Sequence, residues 1–149
     1  MSIDPTIKFI WVGDGDEDER SKLESAGVTV MGWIPKSEVW GHLLKAQVYL
    51  STARWEGMPV SVIEASFAGL PVIASNCSGN IDVVQHDKTG WLFESTEQAI
   101  HYIVLALNDS DLSATQSTAA QRIAQERFSV ERYISEMNQL IKNQSRIAL

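Results

Sequence analysis

Five short runs of β-branched and aromatic residues, KFIWV, VTVM, VYLS, PVIA and GWLF, punctuate the first 93 residues, with longer segments between them. Strands separated by helix-length connections cannot close as tight hairpins; they pair in parallel, each crossover laying a helix on a sheet face. The rhythm therefore predicts an α/β fold, a parallel sheet with flanking helices. The connections support it. DEDERSKLESAG carries a glycine stop, KSEVWGHLLKA places Val39, Trp40, Leu43 and Leu44 on one stripe, and PVSVIEASFAG has proline near its first turn. After Phe93 the strand signal ends. Ser95–Asn108, Asp111–Arg127 and Val130–Lys142 read as three helices, the second polar enough to be largely exposed. The third carries Tyr133, Ile134, Met137, Leu140 and Ile141 on one face, and is expected to pack across a sheet or onto a neighbouring domain. With no repeat, low-complexity tract or linker, residues 1–149 read as a single domain.

Composition narrows the partners. At 149 residues and 44% hydrophobic, the chain can build a core. Twelve basic against nineteen acidic residues give a formal charge of -7, which repels a nucleic-acid backbone and requires any anionic ligand to be held locally. The single Cys77 excludes an intramolecular disulfide framework and suits a reducing compartment. MSIDPTIKF has neither a basic n-region nor an apolar h-region, and no window approaches the roughly 18 apolar residues of a transmembrane segment. The chain reads as cytoplasmic.

Two stretches are rich in carboxylates. GDGDEDE, Gly13 to Glu19, begins like a calcium loop, but Glu19 stands where that loop needs its turn glycine and Ser25 where it needs its closing glutamate. The simpler reading is a glycine turn after a strand, with acids in a helix's first turn where the macrodipole favours negative charge. Gly13-x-Gly15 lacks the third glycine of a dinucleotide fingerprint, though it still permits close approach of a ligand.

The second stretch is WEGMPVSVIEASFAGLPVIAS, Trp55 to Ser75. Ligands of open α/β sheets gather outside the carboxyl ends of strands, and Thr52 to Pro59 follows the strand ending near Ser51. Gly57 lets backbone approach a ligand, and Pro59 suits a first helical position. The amides of Val60, Ser61 and Val62 would then point outward as an anion site. Glu56 precedes this patch and Glu64 follows it by about one and a half turns, roughly 8 Å along the helix axis. A nucleotide sugar offers the matching series of sugar hydroxyls, diphosphate and ribose diol, and carboxylates orient hydroxyls through charge-assisted bonds.

EGMPVSVIEASFAGLPVIASNCSGNIDVVQHDKTGWLF resembles the E-x7-E region of family 4 glycosyltransferases, which have the two-domain GT-B architecture. The resemblance runs upstream through FIWVGDGDEDERSKLESAGVTVMGWIPKSEVWGHLLKAQVYLSTARWEG and weakly into FSVERYISEM, and it is to the carboxyl-terminal, donor-binding half. It implies a Rossmann-like sheet and a nucleoside diphosphate sugar as partner. Glu56 would hold hydroxyls of the transferred sugar as the catalytic carboxylate, and Gly57, Met58 and Pro59 would line the sugar pocket. Amides near Val62 and Ile63 would meet the distal phosphate, and Glu64 would bind the ribose. Trp33 and Ile34 match the base-binding position, with a rim aromatic in the core the competing reading for Trp33, and Gly13 and Gly15 fall on the family's first glycine turn. The resemblance implies transfer of a hexosyl group with retention, without metal or other cofactor.

The chain departs from the family pattern at its start. The usual first strand, central in the order 3-2-1-4-5-6, and its Arg/Lys loop are absent, which predicts a gap between FIWV and VYLS and a chain cropped from a two-domain enzyme. A helix N-terminus alone supplies only about 0.3 to 1 kcal/mol toward a diphosphate at an exposed site, so a fixed cation is needed and Arg54 is the nearest in sequence. Ser78 and Asp82 replace a glycine and a glutamate of GGxxE. The missing amino-terminal domain would supply acceptor groups and any peripheral membrane contact, leaving the isolated chain inactive. Two rival readings stand beside this one: a noncatalytic nucleotide-binding or assembly module, and a metal-dependent transferase using the D-x-D run. His42, His86 and His101 read as helix-face and loop residues, and Cys77 as an incidental thiol.

Overall fold

The computed structural model describes residues 6–144, which fall in two compact units, Met1–Ala46 and Gln47–Leu149. In the first unit, β1 (Ile10–Trp11) pairs in parallel with β2 (Thr29–Val30), Ile10 opposite Thr29 and Trp11 opposite Val30. Between them lies α1 (Glu17–Ser25), and α2 (Lys36–Leu43) follows. α1 starts where Asp16 accepts the Glu19 N–H at 2.9 Å and carries Glu17, Asp18 and Glu19 in its first turn. The acids of GDGDEDE therefore serve helix initiation.

The second unit contains β3 (Tyr49–Ser51), α3 (Val60–Phe67), β4 (Val72–Ser75), α4 (Asn80–Val83), β5 (Gly90–Phe93), α5 (Thr96–Asn108), α6 (Ser110–Phe128) and α7 (Val130–Gln144). Its sheet is parallel throughout in the order β3-β4-β5. β4 lies between its neighbours, and Val72, Ile73 and Ala74 are wholly excluded from solvent, which explains why PVIA is apolar without alternation. α3 adds Val62, Ile63 and Ala65, β5 adds Trp91, and α5 adds Ala99, Ile103 and Ala106. The sheets and flanking helices make a mixed α/β fold, and each sheet has the order expected for its part of the series.

Two helices differ in part from expectation. α6 exposes more than half of its residues, yet it also seats against α3 and α5 through a narrow buried stripe of Gln116, Ser117, Ala120 and Ala124, and Gln121 Nε2 donates to the Phe67 carbonyl at 2.9 Å. Small residues allow close helix approach while contributing little apolar signal, so the buried stripe was hidden among polar neighbours. α7 packs on α6, yet Val130, Tyr133, Ile134, Leu140 and Ile141 each remain more than half exposed. Its apolar face is therefore not covered by a sheet, the first of the two placements expected for it.

Gly90 shows how closely this core is fitted. Its φ is 151°, and a Cβ there would collide with the Val72 carbonyl oxygen of the neighbouring strand. Gly41, inside α2, has open space where a Cβ would go. Gly90→Ala should lower the unfolding free energy by about 2 to 4 kcal/mol. Gly41→Ala should raise it by about 0.5 to 1 kcal/mol through helix propensity. Urea unfolding of both variants checks the pair.

Candidate donor-binding site

In the second unit, the loop from Thr52 to Pro59 leaves the carboxyl end of β3 and enters α3, where the sheet rule places ligands. It is anchored twice, to the end of β4 and to the loop that follows it. The Ser75 hydroxyl donates to the Ala53 carbonyl, and the Glu56 N–H donates to the Ser78 carbonyl at 3.0 Å. Gly79, at φ 84°, lies so close beneath that a Cβ on it would sit 2.6 Å from the Glu56 carbonyl oxygen and 2.7 Å from the Glu56 Cβ. Asn80, fully buried, donates to the Ser75 carbonyl at 3.0 Å and to the Ser75 hydroxyl at 3.2 Å. Backbone hydrogen bonds and steric contact thus fix the position of Glu56.

The helix start is shifted from its expected place. Pro59 is the cap residue rather than the first helical one, with φ -79° and ψ 79°, and the helix opens at Val60. The Val60 N–H turns back to the Met58 carbonyl at 2.9 Å, so it does not point outward with its neighbours; the Ile63 N–H is taken by the Pro59 carbonyl at 3.1 Å. Among the described residues, Ser61 and Val62 therefore hold the first-turn amides without a backbone partner. Val62 and Ile63 have buried side chains and could meet a ligand only through backbone. Gly57 has open space where a Cβ would stand, Met58 is 63% exposed, and Pro59 is buried.

Glu56 and Glu64 are both half-buried, and one group reports on both. Tyr49, at the start of β3, is neighboured by the Ser61 side chain. Burial pushes its hydroxyl above the ordinary value of 10.0; the nearby Ser61 side chain opposes this, and the charges of Glu56 and Glu64 add to the rise. Both carboxylates thus act on the same phenol. Arg54 is exposed and forms no ion pair among the described residues.

In the first unit, the Gly13 N–H donates to the Gly32 carbonyl at 3.1 Å, tying the turn after β1 to the turn after β2. That bond brings Gly13 and Gly15 to the same end of the sheet as Trp33 and Ile34. Gly13 has φ 139°, and a Cβ at Gly15 would approach the Trp11 ring to 3.1 Å, so the turn is built around glycine. Trp33 is 84% exposed, which excludes a core role, and Ile34 is half-buried. Asp14 and Asp16 are engaged locally, Asp14 Oδ1 accepting the Gly15 N–H at 3.0 Å and Asp16 capping α1. No group of three or more His, Cys, Asp or Glu among the described residues is arranged to hold a metal.

Sequence reasoning passed over Tyr49, Ser75 and Gly79, and gave Ser61 a role only through its amide. Tyr49 read only as a strand former, and the others acquire their roles through contacts between distant segments. Tyr49 also yields a pH signature. A pKa raised on folding stabilises the native state fully below about pH 10 and loses that contribution as pH rises through the folded value. Urea unfolding above pH 10 should therefore fall less steeply with pH in Tyr49→Phe than in the parent, whereas equal slopes would remove Tyr49 from this role.

Residues 2–123 match the family model for glycosyl transferases group 1. A protein of Haemophilus influenzae called an uncharacterized glycosyltransferase is 30% identical over 132 residues, 84% of this chain and 37% of that protein. The UDP-Gal:alpha-D-GlcNAc-diphosphoundecaprenol alpha-1,3-galactosyltransferase of Escherichia coli is 27% identical over 128 residues, 80% of this chain and 33% of that one. In fold, the chain is similar to Anabaena HepE in complex with UDP-glucose, with a TM-score of 0.85 at 22% identity over 95% of this chain and 42% of that one. The chain spans about a third of the length of these two curated relatives. Most of its length matches the family model, and the chain belongs to the glycosyl transferases group 1 family, with the mixed α/β architecture of a GT-B carboxyl-terminal, Rossmann-like domain.

Proposed function

We propose that this chain is the donor-binding half of an enzyme that transfers a hexosyl group from a nucleoside diphosphate sugar to an acceptor with retention. The observation that carries the reading is the common action of Glu56 and Glu64 on Tyr49, with Ser61 and Val62 presenting open amides between them in sequence. Glu56 engages sugar hydroxyls as the catalytic carboxylate, Gly57, Met58 and Pro59 border the sugar, and the Ser61 and Val62 amides receive the distal phosphate, with the Ile63 amide reserved to the helix. Glu64 takes the ribose, while Trp33 and Ile34 receive the base beside Gly13 and Gly15.

Two carboxylates near a diphosphate demand a compensating cation, and Arg54 supplies one on this chain. Charge developing on the leaving diphosphate is stabilised by the open amides and Arg54, with the diphosphate itself accepting the acceptor's proton. Acceptor groups come from an amino-terminal domain, so this chain alone is inactive in transfer. The reaction is placed in the cytoplasm, where nucleotide sugars are used, and in polysaccharide biosynthesis. Support for a nucleotide-sugar donor comes from HepE in complex with UDP-glucose, while the name of a Mycobacterium tuberculosis relative, a GDP-mannose-dependent mannosyltransferase, leaves the base open.

Calorimetry with UDP-glucose, GDP-mannose and inorganic pyrophosphate tests the assignment. Glu64→Gln should weaken the preferred nucleotide sugar by about tenfold or more, the value of a charge-assisted hydrogen bond, while sparing pyrophosphate. Arg54→Glu should weaken all phosphate ligands together. Equal losses for sugar nucleotide and pyrophosphate in Glu64→Gln would contradict its ribose role, and unchanged binding in Arg54→Glu would remove the arginine.

A further inference from the structure

We infer that the outer edge of β5 carries a second site, which takes a neutral hexopyranose unit. An open surface depression of about 390 Å³ lies there, lined by Asn76, His86, Leu92, Glu94, Gln98 and Tyr102, of which Asn76, His86, Glu94 and Gln98 are exposed. All six residues belong to the second unit, and none is in the loop or helix assigned to the donor.

The polar groups of this depression are held in place by bonds that leave their other atoms available. Asn76 Nδ2 donates to Glu94 Oε1 at 2.8 Å, and the Glu94 N–H donates to Gln98 Oε1 at 2.8 Å. Glu94 Oε2 and Asn76 Oδ1 remain as acceptors, and the Gln98 amide nitrogen remains as a donor. His86 Nδ1 accepts the Leu92 N–H at 3.0 Å, so its neutral form carries the proton on Nε2, which lies 3.4 Å from Asp87 Oδ2. Tyr102 stacks on the buried Trp91 at 6.0 Å between ring centres and meets the edge of His86 at 5.7 Å. The depression thus offers both donors and acceptors beside packed aromatic rings.

The chemistry of the wall selects its ligand. Among the described residues no lysine or arginine lines the depression and a carboxylate does, which disfavours phosphates and nucleotides. Only Leu92 and the Tyr102 ring are apolar, too little for an acyl chain. No metal-binding group of three or more His, Cys, Asp or Glu exists among the described residues. A sugar ring carries adjacent hydroxyls that both donate and accept, which fits a carboxylate flanked by two carboxamides. The site adjoins the donor loop through Asn76, two residues before the Ser78 carbonyl that holds Glu56. Its occupant is then a sugar unit of the acceptor or product glycan, an assignment of source that rests on the donor-binding reading.

Nitrogen-15 NMR of the full 149-residue chain tests the site directly. Methyl α-D-glucopyranoside, methyl α-D-galactopyranoside and methyl N-acetyl-α-D-glucosaminide are titrated separately, with glycerol and inorganic phosphate as controls. At least one glycoside should shift the Leu92, Glu94 and Gln98 amides saturably, with a dissociation constant on the order of 1 to 10 mM. Glu94→Gln and Gln98→Ala should each weaken that binding fivefold or more, with dispersed spectra showing that both variants fold. The shifts should persist under saturating UDP-glucose or GDP-mannose. The inference is overturned if no glycoside saturates these amides, if glycerol matches the sugars, or if a bound nucleotide sugar abolishes the shifts. Failure of both nucleotide sugars to bind would instead strike the donor reading, leaving the glycoside titration to stand or fall on its own.

Discussion

The backbone of Glu56 fills the space that a side chain at residue 79 would need, and the rest of the donor site depends on that contact. With Gly79 pressed beneath it and the Ser78 carbonyl accepting its N–H, Glu56 cannot follow the motions of an ordinary surface loop. The Ser75 hydroxyl holds Ala53 in the same way at the loop's other end. A carboxylate that must orient hydroxyls gains most from being held before the ligand arrives, because ordering it during binding would subtract from affinity. The seam between the loops after β3 and β4 supplies that order from hydrogen bonds and close packing.

Electrostatics shapes the rest. Two carboxylates near the start of α3, in a chain of formal charge -7, repel the diphosphate that the proposed donor carries. In the proposed complex this repulsion is opposed over short range by the Ser61 and Val62 amides and by Arg54, which forms no ion pair among the described residues. Among the described residues no lysine or arginine lines the β5 depression, and the ligands proposed for the two regions differ accordingly: an anion with sugar at its end in one, a neutral ring in the other.

Much of the fold was legible because its strands are short and chemically distinct. GWLF coincides with β5, and PVIA lies within one residue of β4, whose burial on both faces leaves an unbroken apolar run. The three terminal helices were located to within two residues by capping and periodicity. The start of α3 was harder: the Val60 N–H bends back to Met58, a local turn that a proline at position 59 does not announce. The α6 stripe was missed because alanine and serine pack closely without standing out as hydrophobic. Glu56 and Glu64 were recognisable as a pair flanking a helix start, but Tyr49, Ser75 and Gly79 gain meaning only when separate segments meet. The depression at β5 is assembled from residues as far apart as Asn76 and Tyr102, and no local spacing marks it.

The central claim is that the first-turn amides of α3 receive the distal phosphate between the carboxylates of Glu56 and Glu64. Backbone amide NMR during titration with UDP-glucose or GDP-mannose, whichever binds, addresses it most directly. The account predicts that the Ser61 and Val62 resonances move furthest within α3, because their N–H groups have no backbone partner, while Ile63 moves less. Saturable nucleotide binding that leaves Ser61 and Val62 unmoved would contradict it.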